Sequence, residues 1–331
     1  MLNNGKKVIL SVALVLCLAL VVAAAFGIVD RMYSPDEEDF DGPVDLGEVM
    51  NAIYVDGVLC YPKPGVRNYL IMGIDKYGES GSDGVGQVDF LMVLSFDSNT
   101  EKYTMVSINR DTMVVVDESD GFGGHRMVYK QIALSHDYRG TEGVTNNEKC
   151  ENTARAASRV LCEMKFDGYM SMTMDAIAKM VDKFGGIDIL VEDDLTSVDA
   201  RLVKGETVKL DGELAVKFVR ARGGLEDSSN SARMKRQEAF LSAFFEKITQ
   251  SNLDETLMLE IYEEIQPYVC NDSGESGYED LFYKLSKYEL SESITLKGES
   301  AIGKGGYVEF SVDESHIKEV MVDVFYDKVQ K

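Results

Sequence analysis

The sequence predicts a mixed α/β fold of three-layer αβα type, with a central mixed, mostly antiparallel sheet flanked by helices. Three observations predict it. Apolar runs of strand length and amphipathic helical stripes intermix from about Val66 to the end. The chain has 331 residues, 45% of them hydrophobic, and five prolines, enough for one large core. No internal repeat divides it.

The first residues set the topology. Asn3-Asn4-Gly5-Lys6-Lys7 precede residues 8–29, a run without a charge that is long enough to cross a bilayer as one helix. A secretory signal has a shorter apolar core and a cleavage site, and Ala23-Ala24-Ala25 keeps cleavage open. Lysines before the run and acids after it put residues 1–7 in the cytoplasm, 8–29 in the membrane and the rest outside. Residues 30–56 carry nine acidic side chains against one basic, Arg31. Residues 30–64 therefore read as a solvated extracellular stalk and 65–331 as the folded domain. The expected product is a single-pass cell-membrane protein with its domain extracellular.

Within that domain, residues 68–74 read as a strand entering Asp75, followed by a glycine-rich loop at 78–86. Asp89 opens a second apolar run, 90–96. Asp97-Ser98-Asn99-Thr100 has turn chemistry, and 103–108 is a third strand. Residues 117–124 read as a polar loop and 128–138 as a short helix. A helix is expected at 148–164 and a strand at 168–174. Asp175 is expected to cap a helix ended by Gly185-Gly186, with a strand at 187–191. Residues 211–219 fit helix or strand. Phe240, Leu241, Phe244, Phe245 and Ile248 form a helical stripe, either core or the wall of an apolar groove. Helices at 253–265 and 278–287, strands at 293–296 and 307–312, a Gly303–Gly306 turn and a helix from Glu314 complete the chain.

An up-down-up meander would bring Asp75, Asp89 and Arg110 to one sheet edge. Two carboxylates there suit Mg²⁺ with its phosphates, since magnesium takes one or two protein carboxylates. The other reading is that they are turn formers beside strands. The net charge is −23, yet four of the twelve arginines (Arg220, Arg222, Arg233, Arg236) fall within residues 218–237. Arg220 and Arg222 point the same way if extended, and Arg233, Arg236 and Gln237 share a helical face that Asn230 or Ser231 could cap. Forked guanidiniums suit phosphate oxygens. Alone, this stretch fits a solvated basic face equally well.

Other chemistry is set aside. The acidity argues against nucleic acid as partner. The three histidines have no zinc spacing, and His136 reads as structural more readily than as a general base. No G-x-S-x-G elbow or Walker A loop occurs. Cys150 and Cys162 stand about 18 Å apart if their segment is helical, too far to bridge. A Cys60–Cys270 bond is open but unsupported.

These segments resemble the LytR–CpsA–Psr family. NYLIMGID and GQVDFLMVLSFD look like the strands carrying the family's metal-site aspartates, here Asp75 and Asp89. SINRDT looks like its arginine–aspartate motif, giving Arg110 and Asp111. YKQIALSHDYRG resembles its short lysine-led helix, and DAIAKMVDKFGGIDILV its helix–Gly-Gly–strand element. LDGELAVKFVRARG and SARMKRQ look like the segments with Arg220 and Arg222, and with Arg233, Arg236 and Gln237. Three positions depart from the pattern: Gln87 for an arginine, Asn230 for an aspartate, and Val114 for a basic residue.

The resemblance implies a Mg²⁺-dependent phosphotransferase. It would move an anionic glycopolymer, such as a teichoic acid or capsule, from a polyprenyl pyrophosphate carrier to peptidoglycan. It implies pyrophosphate contacts from Arg110, Arg220, Arg222, Arg233, Gln237 and Asn230, with Asp111 as base or as orienter of Arg110. A non-catalytic binder of the lipid-linked polymer or a regulator, motivated by Gln87 and Asn230, and a carrier pyrophosphatase are the alternatives.

Overall fold

The structure is a computed structural model that describes residues 51–75, 86–119, 124–136, 145–221, 230–251, 255–272 and 274–329. Its first element corrects the stalk. Strands β1 (Ile53–Val55) and β2 (Val58–Pro62) pair antiparallel, and β2 pairs with the last strand, Tyr326–Lys328. Asp56 and Gly57 join them with φ of 53° and 77°. An Asp-Gly pair with both φ positive makes the two-residue turn whose twist suits a hairpin. Ile53, Val55 and Cys60 are buried, so the domain starts upstream of residue 65. The expected span, 8–29, and the acidic segment through residue 50 lie outside the described residues. Among those described, no helix is long and apolar enough to cross a membrane.

The main sheet is built on β3 (Val66–Ile74), β4 (Val88–Asp97) and β5 (Lys102–Ile108), which pair as the expected antiparallel meander. Their side chains alternate between two cores. Leu70, Met72, Ile74, Leu91, Val93, Val106 and Ile108 enter one; Ile71, Met92, Leu94, Phe96 and Met105 enter the other. With both faces covered, the strands read as continuous apolar runs. Each such fully buried side chain contributes about 1.5–3 kcal/mol.

The next segment differs from expectation. β6 (Met113–Ser119) and β7 (His125–Gln131) form a hairpin, and only Ile132–His136 is helical, as a 3₁₀ turn. Val114 and Val116 point inward while Val115, Met127 and Tyr129 are exposed, so the segment alternates as a strand. His136 in the turn is buried with its Nδ1 unpartnered, and burial pulls its pKa down to about 3. It is structural. The unfolded chain takes up a proton near pH 6.5 that the folded one refuses, so stability falls as pH drops from 6.5 toward 3. By pH 5 the loss is about 2 kcal/mol, at ~1.4 kcal/mol per pH unit. Urea unfolding at pH 7 and 5 should show that slope, and His136→Leu should flatten it.

Helix α1 (Asn146–Val160) starts at a capping box. Thr145 Oγ1 accepts from the Glu148 amide at 3.3 Å, and Glu148 Oε2 accepts from the Thr145 amide at 2.8 Å. β8 (Gly168–Thr173) runs parallel to β3, then α2 (Met174–Lys183) follows, with Thr173, not Asp175, at its N-cap. β9 (Ile187–Leu190) and β10 (Thr207–Leu210) make a small hairpin. The ambiguous segment is helical: α3 (Gly212–Arg220) is capped by Asp211, whose Oδ1 accepts from the Leu214 amide at 2.8 Å. A Cβ on Gly212 would lie 2.3 Å from the Ala178 carbonyl oxygen, so α2 and α3 approach there as only glycine permits.

The rest is α4 (Asn230–Gln250), α5 (Glu255–Ile265), β11 (Val269–Asn271), α6 (Gly274–Lys287), β12 (Glu289–Thr295), the hairpin β13 (Gly298–Ile302) and β14 (Val308–Val312), and α7 (Glu314–Val320). Gly303-Lys304-Gly305-Gly306 is the turn of that hairpin, as expected. The main sheet runs β11-β8-β3-β4-β5-β12, with β8 and β12 parallel to their inner neighbours and the other pairs antiparallel. Side chains from α2 to α6 pack on one face, and those of α1, α7, β1 and β6 on the other. The layers are therefore α, β, α around a mixed sheet.

Candidate active site

The site begins with a flaw in the ladder. Across β3 and β4, Gly73 faces Phe90 but Ile74 faces Val88, leaving Asp89 as the extra residue of a β-bulge. A bulge bends its strand and re-aims a side chain. Gly73 is needed there because a Cβ would lie 2.9 Å from Phe90 Cβ. One step past the Ile74–Val88 pair come Asp75 and Gln87. Arg110 follows β5 at the same sheet end.

Two ion-paired groups result. Asp89 pairs with Arg110, and its Oδ1 lies 3.8 Å from Arg233 Nη1. Arg233 Nη2 also donates to the Asp89 carbonyl oxygen at 3.2 Å. Arg110 Nη2 donates to Gln87 Oε1 at 2.8 Å, and its Nε lies 3.7 Å from Asp111 Oδ1. Beside this, Arg220 Nη2 stands 2.7 Å from Asp75 Oδ1. The second pair is open, with the Arg220 side chain 52% exposed, whereas that of Arg233 is 3% exposed.

Arg220 reaches the site from the last residue of α3, not from an extended strand. Cationic side chains are favoured there by the helix's negative end. Arg222 lies outside the described residues, as does most of the glycine-rich loop. Arg236 turns away: its Nη1 donates to Asp193 Oδ2 and its Nη2 to the Ala221 carbonyl oxygen, both at 2.8 Å. Gln237 is buried with its Oε1 unpartnered, one helical turn beyond Arg233. No described hydrogen bond joins it to the cluster.

The departures from the family pattern are built in. Gln87 accepts from Arg110, which an arginine could not do. Asn230 both accepts from Arg233 Nη2 at 2.8 Å and donates from Nδ2 to Asn109 Oδ1 at 2.7 Å. Asn109 Oδ1 takes the Asp111 amide as well, at 2.9 Å. An ionised aspartate at 230 could accept but not donate. Val114 is buried in the core. Asp111 is fixed by Gln131, whose Nε2 donates to its Oδ1 at 3.1 Å and to the Val308 carbonyl oxygen at 2.6 Å. Sequence reasoning assigned no role to Asn109 or Gln131. Asn109 adjoins the arginine–aspartate pair, which was a usable signal, whereas Gln131 lies in the strand read as helix.

The described cluster is close to neutral, with Asp75, Asp89 and Asp111 set against Arg110, Arg220 and Arg233. No group of three His, Cys, Asp or Glu side chains that could hold a metal occurs among the described residues. Asp75 and Asp89 are oxygen donors of the kind magnesium takes, and here each is ion-paired to an arginine.

Fold and site define a mixed-sheet α/β domain with an arginine–aspartate cluster at one sheet end. The chain belongs to the LytR_cpsA_psr family, whose model matches residues 55–324. It is 25% identical over 230 residues to polyisoprenyl-teichoic acid–peptidoglycan teichoic acid transferase TagU of Oceanobacillus iheyensis, covering 68% of this chain and 63% of that protein. It is 26% identical to the Enterococcus faecalis TagU over 92% of this chain and 87% of that one. The chain spans only 58–63% of the first three curated relatives. The crystal structure of TagV from Bacillus subtilis superposes with a TM-score of 0.60 at 21% identity, over 79% of this chain and 96% of that one. That likeness is one of fold.

Proposed function

We propose that this protein is a phosphotransferase moving an anionic glycopolymer from a polyprenyl pyrophosphate carrier to peptidoglycan. The observation that carries this reading is the convergence of Arg110, Arg220 and Arg233 on two aspartates at one sheet end. The names of the TagU relatives support the substrate class. Arg110 and Arg233, already oriented by Gln87 and Asn230, would bind the phosphate oxygens and stabilise charge on the leaving phosphate. Arg220, the most exposed, would meet the incoming pyrophosphate first. Asp75 and Asp89 would hold Mg²⁺. When bound, the ion would neutralise both carboxylates and share the phosphate charge, which leaves the guanidiniums free for the donor. Asp111, held by Gln131 beside Arg110, would orient that arginine or accept the proton of the attacking sugar hydroxyl.

The carrier's tail would follow the seam between the sheet and helices α2, α4 and α6. Phe240, Leu241, Phe244, Ile177, Met172 and Leu285 are among its wholly apolar lining. The stripe on α4 is core here, since only about 30 Å³ lies open, roughly the volume of one water. A tail would have to part α4 from α6. Ile177→Trp would fill the seam. Use of a long-chain donor should then weaken about tenfold, as losing two buried methylenes at ~0.8 kcal/mol each implies. A short-chain donor should be used as before. Equal effects on both would remove the tail from this seam.

The segment 8–29 would anchor the domain outside the cell membrane, beside its donor. The deciding experiment incubates the protein with lipid-linked polymer, peptidoglycan and magnesium. Wall-linked polymer that disappears on chelation supports the proposal. Free phosphorylated polymer would indicate a pyrophosphatase instead, and tight binding without turnover a carrier.

A further inference from the structure

Away from the arginine cluster, two thiols meet at the edge of the main sheet. Cys150 lies on α1, and Cys270 lies on the edge strand β11. Cys270 faces Ser171 across the β11–β8 ladder, and Cys150 Sγ donates to Ser171 Oγ at 3.1 Å. Cys270 Sγ donates to Asn147 Oδ1. Asn147 precedes Cys150 by three residues, so both stand on one face of α1. Ser171 Oγ in turn donates to the Cys270 carbonyl oxygen at 3.4 Å, so both cysteines flank one buried hydroxyl. The neighbouring Cys270 thiol and burial push the Cys150 pKa up, and the Cys150 thiol draws the Cys270 pKa down against burial and the nearby Asp272. Cys150 is fully buried and Cys270 nearly so, at 8% exposure. Cys270 lines an open cavity of about 360 Å³ with Asn146, Asn147, Tyr262, Gln266 and Asn271.

We propose that Cys150 and Cys270 form a convertible dithiol–disulfide pair that takes an external low-molecular-weight disulfide as oxidant and, once closed, ties α1 to the sheet edge. Cys270 is the entry point, since the thiolate is the attacking species and Cys270, not Cys150, lines the cavity. Its thiolate attacks one sulfur of the external disulfide. That S–S bond breaks, and the departing thiolate takes up the proton Cys270 gave to solvent. Cys150 then loses its proton, attacks Cys270 Sγ and expels the second thiol. The protein loses two hydrogens and two thiols leave, so electrons and protons balance. An extracellular domain would meet such oxidants. The thiol chemistry itself is independent of the transfer reaction.

The test incubates the full chain with oxidised or reduced glutathione, alkylates the remaining thiols and maps peptides by mass. After oxidation, Cys150 and Cys270 should resist alkylation and appear in one linked peptide. The thermal midpoint should rise by about 5–10 °C over the reduced protein, because the bond closes a long loop. Cys150→Ser should stop at a glutathione adduct on Cys270, and Cys270→Ser should leave Cys150 unmodified. Both thiols alkylated after oxidation, or an adduct on Cys150 in Cys270→Ser, would overturn the proposal.

Discussion

Arg110→Ala should lower transfer from a lipid-linked donor by about a hundredfold to a thousandfold, the loss typical of removing one preorganised charge donor. Arg110 is held on three sides: by Asp89, by Gln87 Oε1 at 2.8 Å and by Asp111 at 3.7 Å. A guanidinium fixed in this way needs little reorganisation as charge builds on the phosphates. Turnover should therefore fall more than donor affinity, because Arg220 and Arg233 remain to bind. Arg110→Lys keeps the charge but not the fork, and should recover less than a tenth of the lost activity. The measurement is wall-linked product formed at saturating donor, with donor affinity measured separately. Transfer equal to that of the unaltered protein would remove Arg110 from the chemistry.

The parts of this site legible in the sequence are those carried by local pattern. β3, β4 and β5 are covered on both faces, so each shows an uninterrupted apolar run. Their order and turns then place Asp75, Asp89 and Arg110 at one end. The bulge that makes Asp89 the extra residue was not legible, because it depends on the pairing register and not on composition. β1 and β2 were hidden because β2 pairs with residues 326–328, at the far end of the chain. Acidic neighbours also masked the Asp56-Gly57 hairpin signal. The β6–β7 hairpin was hidden because its outer face is exposed and its inner residues cover only part of α1. Residues 211–219 fit helix or strand by pattern alone, and the spacing of Arg220 to Arg222 aligns them only on an extended backbone, whereas Asp211-Gly212 starts a helix that ends at Arg220. Arg233 and Arg236 lie about 60° apart around α4 at 3.6 residues per turn. That angle sends one side chain to Asp89 and the other to Asp193, a division no spacing rule reveals.

The two aspartates should separate stability from function. Asp89→Ala removes the carboxylate that faces both Arg110 and Arg233, whose side chains are 13% and 3% exposed. Removing one partner of a buried ion pair strands a charge that water cannot reach, at a cost of about 3–5 kcal/mol. For a domain of this size that lowers the thermal midpoint by roughly 6–20 °C, at ~2–4 °C per kcal/mol. Asp89→Asn should cost less, since its amide oxygen still accepts from a guanidinium. Asp75→Ala frees only Arg220, which is half in water, and an exposed pair contributes under about 1 kcal/mol. Its midpoint should hardly move. Both alanine variants should nonetheless lose transfer and its stimulation by magnesium, because each removes one of the two proposed metal ligands. Calorimetry on the three variants, beside transfer assays with and without magnesium, checks both halves. A stable Asp89→Ala protein would show that Arg233 is satisfied without the carboxylate. An Asp75→Ala protein that still responds to magnesium would place the ion elsewhere.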